Sequence, residues 1–358
     1  MKLNVNIVHH YSITLGRGGE KIIKSIATEL SKRGHSISVF SIPFRRRKIN
    51  QFYPFYYREC FLKKLDCDVA YYVYVPLIHK LFRTSAPKIA GLHSFVVLLK
   101  FSHEHIRYSY ILYKHGILAF AATYFSSLTK GRDLNNFNGV HIPNIINKNN
   151  LKYLEIYGKE KPLIYTIPNW VDLQVFKPRN AKSDVFTVLF VGSEKWSKGY
   201  DIFYYIARYL HKIIPKIRFI AVGVCKDGSS RSTSFIEEYP FIYQEDILAN
   251  IYSSSHILVY PSRADIFGIT LIESLACGTP VLTSALPSHT AFLPSKFICF
   301  TTYDYIRRII EIYQMWCKKS GEYELLVNES RSIASMFDKN KLFPLFERML
   351  IEVANKGV

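Results

Sequence analysis

The stretch that decides the fold is Tyr260-Pro-Ser-Arg-Ala-Asp-Ile-Phe-Gly-Ile-Thr-Leu-Ile-Glu-Ser-Leu-Ala-Cys-Gly-Thr-Pro-Val281. It has the pattern of a buried strand that ends at Pro261, a polar loop, an apolar helix from near Gly268 and a second strand. This order predicts a parallel sheet with a crossover helix. Because ligands of parallel sheets bind beyond the carboxyl ends of strands, we expect a binding site in the loop before the helix.

Two carboxylates mark this region. Asp265 lies in the loop, and Glu273 follows after seven intervening residues in a helix that is otherwise apolar. A carboxylate in such a helix is costly unless it is paired or meets a ligand hydroxyl. The spacing alone leaves two interpretations open: Glu273 binds a ligand, or it caps a loop or pairs with an arginine.

A second strand–loop–helix junction is Phe190-Val-Gly-Ser-Glu-Lys-Trp-Ser-Lys-Gly-Tyr200. Lys195 and Lys198 lie in a loop that opens onto a helix N-terminus, and a diphosphate needs both positive charge and free amides. The order of a Walker loop, Gly-x4-Gly-Lys-Ser/Thr, is absent. Taken by themselves, two lysines in a loop are usually just solvated.

The alternation of strands and helices extends through both halves of the chain. In the first half, strands at Leu3–Val8 and Ile37–Ile42 flank an amphipathic helix, which is a β-α-β unit. A stretch rich in charge, Pro and Asn at Leu173–Asp184 is the best candidate for a linker. We therefore expect an α/β protein with two doubly wound, Rossmann-like domains. The expected bounds are 1–175 and 176–338, followed by a helical segment at 339–358 that packs back on the first domain.

The charge of the chain is uneven. Its 358 residues include 47 Lys+Arg and 28 Asp+Glu, a net charge of +19. Residues 1–179 hold 27 basic and 10 acidic side chains, a surplus of +17, and residues 180–358 hold 20 and 18, a surplus of +2. Charge describes partners rather than fold, so the first half is expected to meet something anionic. Since 49% of the residues are hydrophobic, the composition excludes a disordered chain.

The cysteines and the apolar runs exclude other classes of protein. None of the six cysteines belongs to a CxxC pair or a cluster at zinc spacing, which predicts buried thiols in a reducing compartment. The N-terminus lacks the apolar core of a signal peptide, and no apolar run approaches the ~18 residues of a membrane span. We expect a cytoplasmic protein that can associate with the cytoplasmic face of a membrane.

From Val188 to Val281 the chain resembles the retaining GT-B glycosyltransferases of family four, which transfer sugars from nucleotide-sugar donors. Asp265-x7-Glu273 stands where that family has its E-x7-E signature, and Gly192…Lys198-Gly199 matches its phosphate-binding loop. Further matches follow the family's order along the chain: Gly18-Gly19-Glu20 with Arg33-Gly34-His35, and Ile167-Pro-Asn-Trp-Val-Asp-Leu-Gln-Val-Phe-Lys-Pro178.

This resemblance implies a GT-B architecture, in which two Rossmann-like domains face each other across a cleft. The first domain would bind the acceptor and the second the nucleotide-sugar. It implies that Glu273 binds the ribose hydroxyls, that Asp265 contacts the donor sugar and that Lys198 stabilises the departing diphosphate. His93 resembles the family's histidine that faces the donor sugar, with a satisfied surface or core histidine as the alternative. The other implied donor contacts are Gly18, Gly19, Gly192, Phe267, Gly268 and Ile269.

The chain departs from the family pattern at three positions. Asp265 replaces the usual Glu, Ser193 stands where many members have Arg, and Trp170 replaces a Gly. We hypothesise that Lys195 or Arg263 supplies the charge that Ser193 lacks.

The implied chemistry is that of a retaining hexosyltransferase. No D-x-D metal motif and no carboxylate nucleophile stands out, so the resemblance implies metal-independent transfer by front-side attack, with the nucleotide-sugar as substrate and no cofactor. No metal site is predicted.

A basic and aromatic segment suggests the acceptor. Its cations are Arg45, Arg46, Arg47, Lys48, Lys63 and Lys64, with Phe and Tyr between them. Such surfaces suit anionic membrane interfaces, which favours an anionic acceptor that is lipid-linked or membrane-proximal and a peripheral membrane contact. Two alternatives remain: a glycosyltransferase that modifies DNA, and a non-catalytic binding protein for sugar nucleotides or anions on a degenerate GT-B scaffold.

Overall fold

The computed structural model describes residues 1–15, 18–43, 53–75, 77–93, 133–144, 162–179, 181–193, 196–225, 230–319 and 321–356. The chain divides into two compact units. The first comprises Met1–Asn169 and Phe343–Val358, and the second comprises Trp170–Leu342.

The first unit contains a seven-stranded sheet in which all the pairings are parallel. Its strands are β1 (Asn4–His9), β2 (Ser36–Ser41), β3 (Tyr56–Glu59), β5 (Val69–Val73), β7 (Lys88–Gly91), β8 (Gly139–Ile142) and β9 (Leu163–Thr166). Strands β4 (Lys63–Lys64) and β6 (Phe82–Arg83) form a separate pair. The strand order is β3-β2-β1-β5-β7-β8-β9. Every residue of the central β5 is buried, as expected for a parallel strand covered on both faces.

Helix α1 (Gly18–Lys32) connects β1 to β2, and the short α2 (Ile78–Leu81) precedes β6. The apolar residues predicted to form one face of α1 are all buried: Ile22, Ile23, Ile26, Ala27 and Leu30. The predicted β-α-β unit at the start of the chain is therefore confirmed.

The second unit contains a seven-stranded sheet that is parallel except for one antiparallel pair at its edge. Its strands are β10 (Thr187–Val191), β11 (Arg218–Cys225), β12 (Arg231–Ser232), β13 (Glu237–Pro240), β14 (Ile257–Tyr260), β15 (Val281–Ser284) and β16 (Ile298–Cys299), in the order β12-β13-β11-β10-β14-β15-β16. The helices of this unit are α3 (Tyr200–Ile213), α4 (Glu245–Ser254), α5 (Ile269–Ala276), α6 (Pro287–Thr290), α7 (Thr302–Lys318) and α8 (Glu322–Ser335). A last helix, α9 (Lys339–Asn355), begins in this unit and belongs to the first unit from Phe343 onward. A 3-10 turn at Trp196–Lys198 precedes α3.

The division between the units differs from the predicted bounds. It lies between Asn169 and Trp170 rather than after residue 175, and between Leu342 and Phe343 rather than after residue 338. The reason is a short bridge within the second unit. The Val171 amide donates to the Phe337 carbonyl and the Lys339 amide donates to the Val171 carbonyl, each at 2.9 Å. These bonds hold Val171, just before the expected linker, against the segment from Phe337 to Lys339 that follows α8.

The last helix, α9, is also anchored in the first unit. Gly34 adopts a φ of +85°, which turns the chain after α1 and presents the two residues on either side of it. Arg33 donates to Glu347 of α9 at 2.8 Å, and His35 Nε2 lies 2.8 Å from the same carboxylate. His35 Nδ1 accepts from the Leu3 amide. The Arg33-Gly34-His35 motif thus joins the first strand, the first helix and the last helix of the unit.

The six cysteines are free thiols, and Cys225, Cys277 and Cys299 are buried. Cys317 is exposed, so the expectation of burial is wrong at that position. No helix among the described residues is long and apolar enough to cross a membrane.

Gly199 permits the close approach of two loops in the second unit. Its φ is +74°, and a Cβ there would lie 1.9 Å from the Pro261 carbonyl oxygen. Gly321 has a φ of +80° but no heavy atom within 4 Å of a Cβ. The two positions therefore separate backbone strain from steric overlap.

We expect Gly199→Ala to lower the free energy of unfolding by more than about 3 kcal/mol, because the strain of a positive φ adds to a clash between backbone atoms. Gly321→Ala, the control, should cost only about 1 kcal/mol of strain. Urea denaturation followed by circular dichroism would measure both changes. Equal losses in the two variants would contradict the steric argument.

Candidate active site

Three side chains meet where β10 and β14 end. Lys198 Nζ donates to Asp265 Oδ2 and to the Tyr260 hydroxyl, both at 2.8 Å, and the Tyr260 hydroxyl donates to Asp265 Oδ2 at 2.5 Å. The side chains of Lys198 and Asp265 are 30% and 15% exposed. The two sequence-predicted residues are thus brought together, with a tyrosine that the sequence analysis had not singled out.

The charges of this triad reinforce each other. Burial alone would raise the pKa of Asp265, but the Lys198 ammonium outweighs burial and holds that pKa well below its usual range. Burial alone would lower the pKa of Lys198, and the Asp265 carboxylate instead raises it above its ordinary value. Both groups therefore stay ionised across the physiological pH range.

Backbone contacts fix the carboxylate as well. Asp265 Oδ1 accepts from the Ile266 amide at 2.8 Å, and the Ser288 hydroxyl donates to the Asp265 carbonyl at 3.0 Å. Phe267 points into the core, where its ring packs against Phe292 and Phe337. The implied contact of Phe267 with the donor would therefore be made by its backbone, not by its ring.

Glu273 lies on α5 with only 4% of its surface exposed. Its Oε2 accepts from the hydroxyl of Tyr252, a fully buried residue of α4, at 3.0 Å. Gly268 precedes α5 with a φ of +86°, and Ile269 is its first residue. The first amides of a helix have no intrahelical acceptor, so this turn offers N–H groups close to the triad.

Arg263 is engaged in a structural contact. Its guanidinium makes two bonds of 2.7 Å to the Asp201 carboxylate and stacks over the Trp196 ring at 4.4 Å. Asp201 lies in the first turn of α3. Charge supplied by Arg263 to a diphosphate would have to compete with this pair.

The predicted phosphate loop is described in part. The Gly192 amide donates to the Val222 carbonyl at 2.9 Å, which continues the β10–β11 pairing by one residue. Lys195 lies outside the described residues, as do Arg45, Arg46, Arg47 and Lys48 of the predicted basic segment. Lys63 and Lys64 form β4 and are exposed.

In the first unit, His93 lies two residues beyond the end of β7. Its Nε2 is 2.7 Å from the Tyr71 hydroxyl, which is 2.6 Å from His141 Nδ1. His141 Nε2 in turn lies 2.9 Å from the Ile167 carbonyl oxygen. Burial lowers the pKa of His141 to about 4 and holds the pKa of His93 well below its ordinary value, so both rings are neutral.

These contacts determine which atom carries each proton in the hydrogen-bonded series from His93 to the Ile167 carbonyl. A carbonyl oxygen only accepts, so His141 Nε2 carries the proton and Nδ1 accepts from the Tyr71 hydroxyl. The Tyr71 oxygen then accepts from His93 Nε2, and the lone pair of His93 is on Nδ1. Tyr71 and His141 are fully or almost fully buried, so the Ile167 carbonyl orients His93 through two intermediates.

The glycines predicted to approach the donor phosphates begin α1. Gly18 and Gly19 are its first two residues, and a Cβ on Gly19 would lie 3.9 Å from His9 Nε2. His9 ends β1 and stacks on His10 at 4.8 Å. Strand β5 separates β1 from β7, so His9 and His93 share the carboxyl edge of this sheet.

A cavity of about 550 Å³ lies elsewhere in the second unit. Its lining includes Phe186, Arg218, Glu237 and Trp316. Arg218 and Glu237 are the first residues of β11 and β13, so the cavity lies at the amino edge of the sheet, opposite the triad. It contains none of the residues predicted to bind a donor.

Residues 173–297 match the family model of the glycosyl transferases group 1. This segment covers 125 of the 358 residues. It contains the candidate residues of the second unit from Gly192 to Glu273, whereas Gly18, Gly19 and His93 lie outside it.

Curated relatives match a little over a third of the chain. D-inositol 3-phosphate glycosyltransferase 1 of Catenulispora acidiphila is 27% identical over 158 residues, which cover 37% of this chain and 38% of the relative. The phosphatidylinositol N-acetylglucosaminyltransferase gpi3 subunit of Schizosaccharomyces pombe is 25% identical over 149 residues, which cover 38% of this chain and 32% of the relative. The matches span under two fifths of the length of these relatives.

The structural likeness covers almost the whole chain. Sucrose-phosphate synthase of Thermosynechococcus elongatus superimposes with a TM-score of 0.70 at 14% identity, covering 98% of this chain and 99% of the other. The lipopolysaccharide biosynthesis glycosyltransferase WaaG gives 0.69 at 14% identity, covering 97% and 99%. The predicted GT-B fold is therefore confirmed.

Three residues of the group 1 segment were missed by sequence reasoning. Tyr260, Tyr252 and His289 contact or neighbour the predicted carboxylates. Tyr260 and Tyr252 fit equally well as apolar residues of a strand and a helix, so composition gives no signal for their hydroxyls. The one available signal for Tyr260 was its position as the last strand residue before the site loop.

We expect Asp265→Asn to destabilise the folded protein by about 2 kcal/mol at pH 7, because it leaves the partly buried Lys198 ammonium without its counter-charge. The Asp265 pKa is depressed in the folded state, so its contribution is present above the unfolded pKa of about 4 and is lost as the pH falls further. The difference between wild type and variant should therefore shrink below about pH 4.

Urea denaturation as a function of pH would measure this difference. Asp201→Asn is the control, since its carboxylate is 54% exposed and its pair with Arg263 should contribute less than about 1 kcal/mol. A difference for Asp265→Asn that does not change with pH would contradict the assignment of the charge.

Proposed function

We propose that the protein is a glycosyltransferase that moves a sugar from a nucleotide-sugar donor to an acceptor, with retention of the anomeric configuration and without a metal ion. The observation that carries this proposal is the Lys198–Tyr260–Asp265 triad beside the start of α5, inside the segment that matches group 1 glycosyltransferases.

The triad has the donors and acceptors that a sugar diphosphate needs. A lysine ammonium has three N–H donors, and Lys198 uses one for Tyr260 and one for Asp265. The third is left for a phosphate oxygen. Asp265 accepts from Lys198 and Tyr260 on Oδ2 and from the Ile266 and Phe267 amides on Oδ1. The bond from the Phe267 amide is long, at 3.5 Å, so a sugar hydroxyl that donates to Oδ1 would replace it.

The charges define what these groups do in the reaction. Because the pKa of Lys198 is raised, its ammonium acts as a fixed charge rather than as a proton donor. Negative charge that develops on the leaving diphosphate would be stabilised there, a contribution of a few kcal/mol in sites of this kind. Asp265 is a poor nucleophile because its carboxylate accepts four hydrogen bonds, which favours front-side attack over a glycosyl-enzyme intermediate.

Glu273 would bind the donor nucleotide. The residue is 4% exposed on a helix that is otherwise apolar, and ribose hydroxyls are donors that would offset the cost of burying its carboxylate. The amides at the start of α5 would meet phosphate or sugar oxygens.

We further propose an anionic acceptor that is lipid-linked or presented at a membrane. Residues 1–179 carry a surplus of +17, which would attract such a molecule. Relatives of the group 1 segment include proteins named for D-inositol 3-phosphate and for phosphatidylinositol, both of which are anionic. The nucleotide-sugar is a substrate, and no cofactor is proposed.

We expect a nucleotide-sugar to raise the thermal midpoint of the wild-type protein in a panel of donors, since ligand binding stabilises the folded state. Glu273→Gln should weaken the binding of that nucleotide-sugar by about 10- to 100-fold, which is the loss expected for a hydrogen bond to a charged group. Tyr252→Phe is the control, because it removes the internal donor and keeps the carboxylate. Unchanged affinity in Glu273→Gln would exclude Glu273 from the donor site.

We expect labelled donor to be transferred to a lipid extract in the presence of a chelator, with the anomeric configuration of the donor retained in the product by NMR. Glu273→Ala should lose nearly all transfer while keeping its circular dichroism spectrum. Label in duplex DNA instead of lipid would replace the acceptor proposal with DNA modification. Donor binding without hydrolysis or transfer to either acceptor would favour the non-catalytic binding protein.

A further inference from the structure

Helix α3 has an outer face with an unusual composition. Its inner residues Phe203, Ile206, Ala207 and Leu210 are buried in the core of the second unit. Two rows of residues at a spacing of four follow the outer side, one with Tyr205, Tyr209 and Ile213, and the other with Arg208 and Lys212. We call these five residues the α3 outer face.

The apolar row is strongly exposed. Tyr205 is 57% exposed, Tyr209 45% and Ile213 51%. From Tyr205 to Ile213 the row is about 12 Å long. Exposing such a row of apolar side chains to water is unfavourable in free energy, and a partner that covers the row would remove this cost.

The second row is positively charged. Arg208 and Lys212 are exposed, and no carboxylate among the described residues pairs with either. Lys216, also exposed, lies in the turn after the helix. The acidic residue at the start of α3, Asp201, is paired with Arg263. The rows therefore offer cations and aromatic rings without a neutralising acid between them.

We propose that the α3 outer face docks the second unit on an anionic membrane surface. Tyrosine rings lie favourably at the boundary between headgroups and acyl chains, and Lys and Arg attract anionic headgroups. The inference rests on the proposed function in one respect: an acceptor presented at a membrane requires the donor-binding unit to work close to that membrane. It assigns a membrane contact to the nearly neutral half of the chain, in addition to the contact expected for the basic segment of the first half.

The composition of the face favours lipid over other partners. A second copy of the same face would bring like charges together, which is costly at an interface. A nucleic acid would use the cations and could stack on the tyrosines, but it offers little to the aliphatic Ile213. A membrane accommodates all three kinds of side chain at adjacent depths.

Co-sedimentation of the full-length protein with phosphatidylcholine vesicles, with and without phosphatidylserine, tests the proposal without any donor or acceptor. We expect binding to the anionic vesicles only, weakened by salt. Arg208→Ser/Lys212→Ser should weaken it by about 30-fold, since each cation near the surface contributes about fivefold. The control Lys318→Ser/Arg331→Ser removes two exposed cations elsewhere in the second unit and should change binding by less than about threefold.

The tyrosine row has its own variant, Tyr205→Ser/Tyr209→Ser, which should weaken binding by about tenfold and still do so at high salt. Equal binding by wild type and both α3 variants would overturn the proposal. The proposal would also be overturned if the α3 variants still bound vesicles but no longer self-associated. The same holds if they still bound vesicles but no longer bound single-stranded DNA. Retained thermal stabilisation by a nucleotide-sugar in the variants would show that the donor site is intact, which separates failure of docking from failure of the proposed function.

Discussion

The second unit depends on one ion pair. Lys198 follows β10 and Asp265 follows β14, and these two strands are neighbours in the sheet. The bond between the two side chains joins two loops that are far apart in the sequence. Backbone contacts accompany it: the Arg263 amide and the Ser262 hydroxyl both reach the Ser197 carbonyl. The loops come so close that only a glycine fits at position 199. Charge and steric constraint therefore act at the same place, and the groups that shape the loops are the groups proposed to bind the donor.

The sequence was sufficient to predict those elements of the fold that are specified by residues close together in the chain. The strand predicted to end at Pro261 is found at Ile257–Tyr260, and the helix predicted from near Gly268 is found at Ile269–Ala276, because apolar periodicity and Gly268 specify both. Contacts between distant residues were not predictable in this way. Arg33 and His35 look like a family motif, yet the described structure gives them a bond to Glu347, 312 residues beyond His35. Nothing in either short segment indicates that partner.

The same limit applies to hydroxyl groups. Tyr260 and Tyr71 are counted as apolar residues of strands by any pattern of hydrophobicity, and in the structure each bridges two titratable groups. Their effects are opposite. Tyr260 lies between two ions and stabilises their charges, whereas Tyr71 lies between two neutral imidazoles and fixes which nitrogen carries the proton. A buried tyrosine can therefore serve either electrostatic environment, and only its neighbours decide which.

The anchoring of α9 has a consequence for synthesis on the ribosome. The second unit is one continuous piece, Trp170–Leu342, so its whole sequence is made before Phe343–Val358 of the first unit. The first unit starts earlier but lacks Glu347 and also Phe346, whose ring packs against Tyr71 and His141. The half of the protein that is made first is thus the half that is finished last. Until Phe346 in the middle of α9 has been made, the buried His141 lacks the aromatic ring that packs against it.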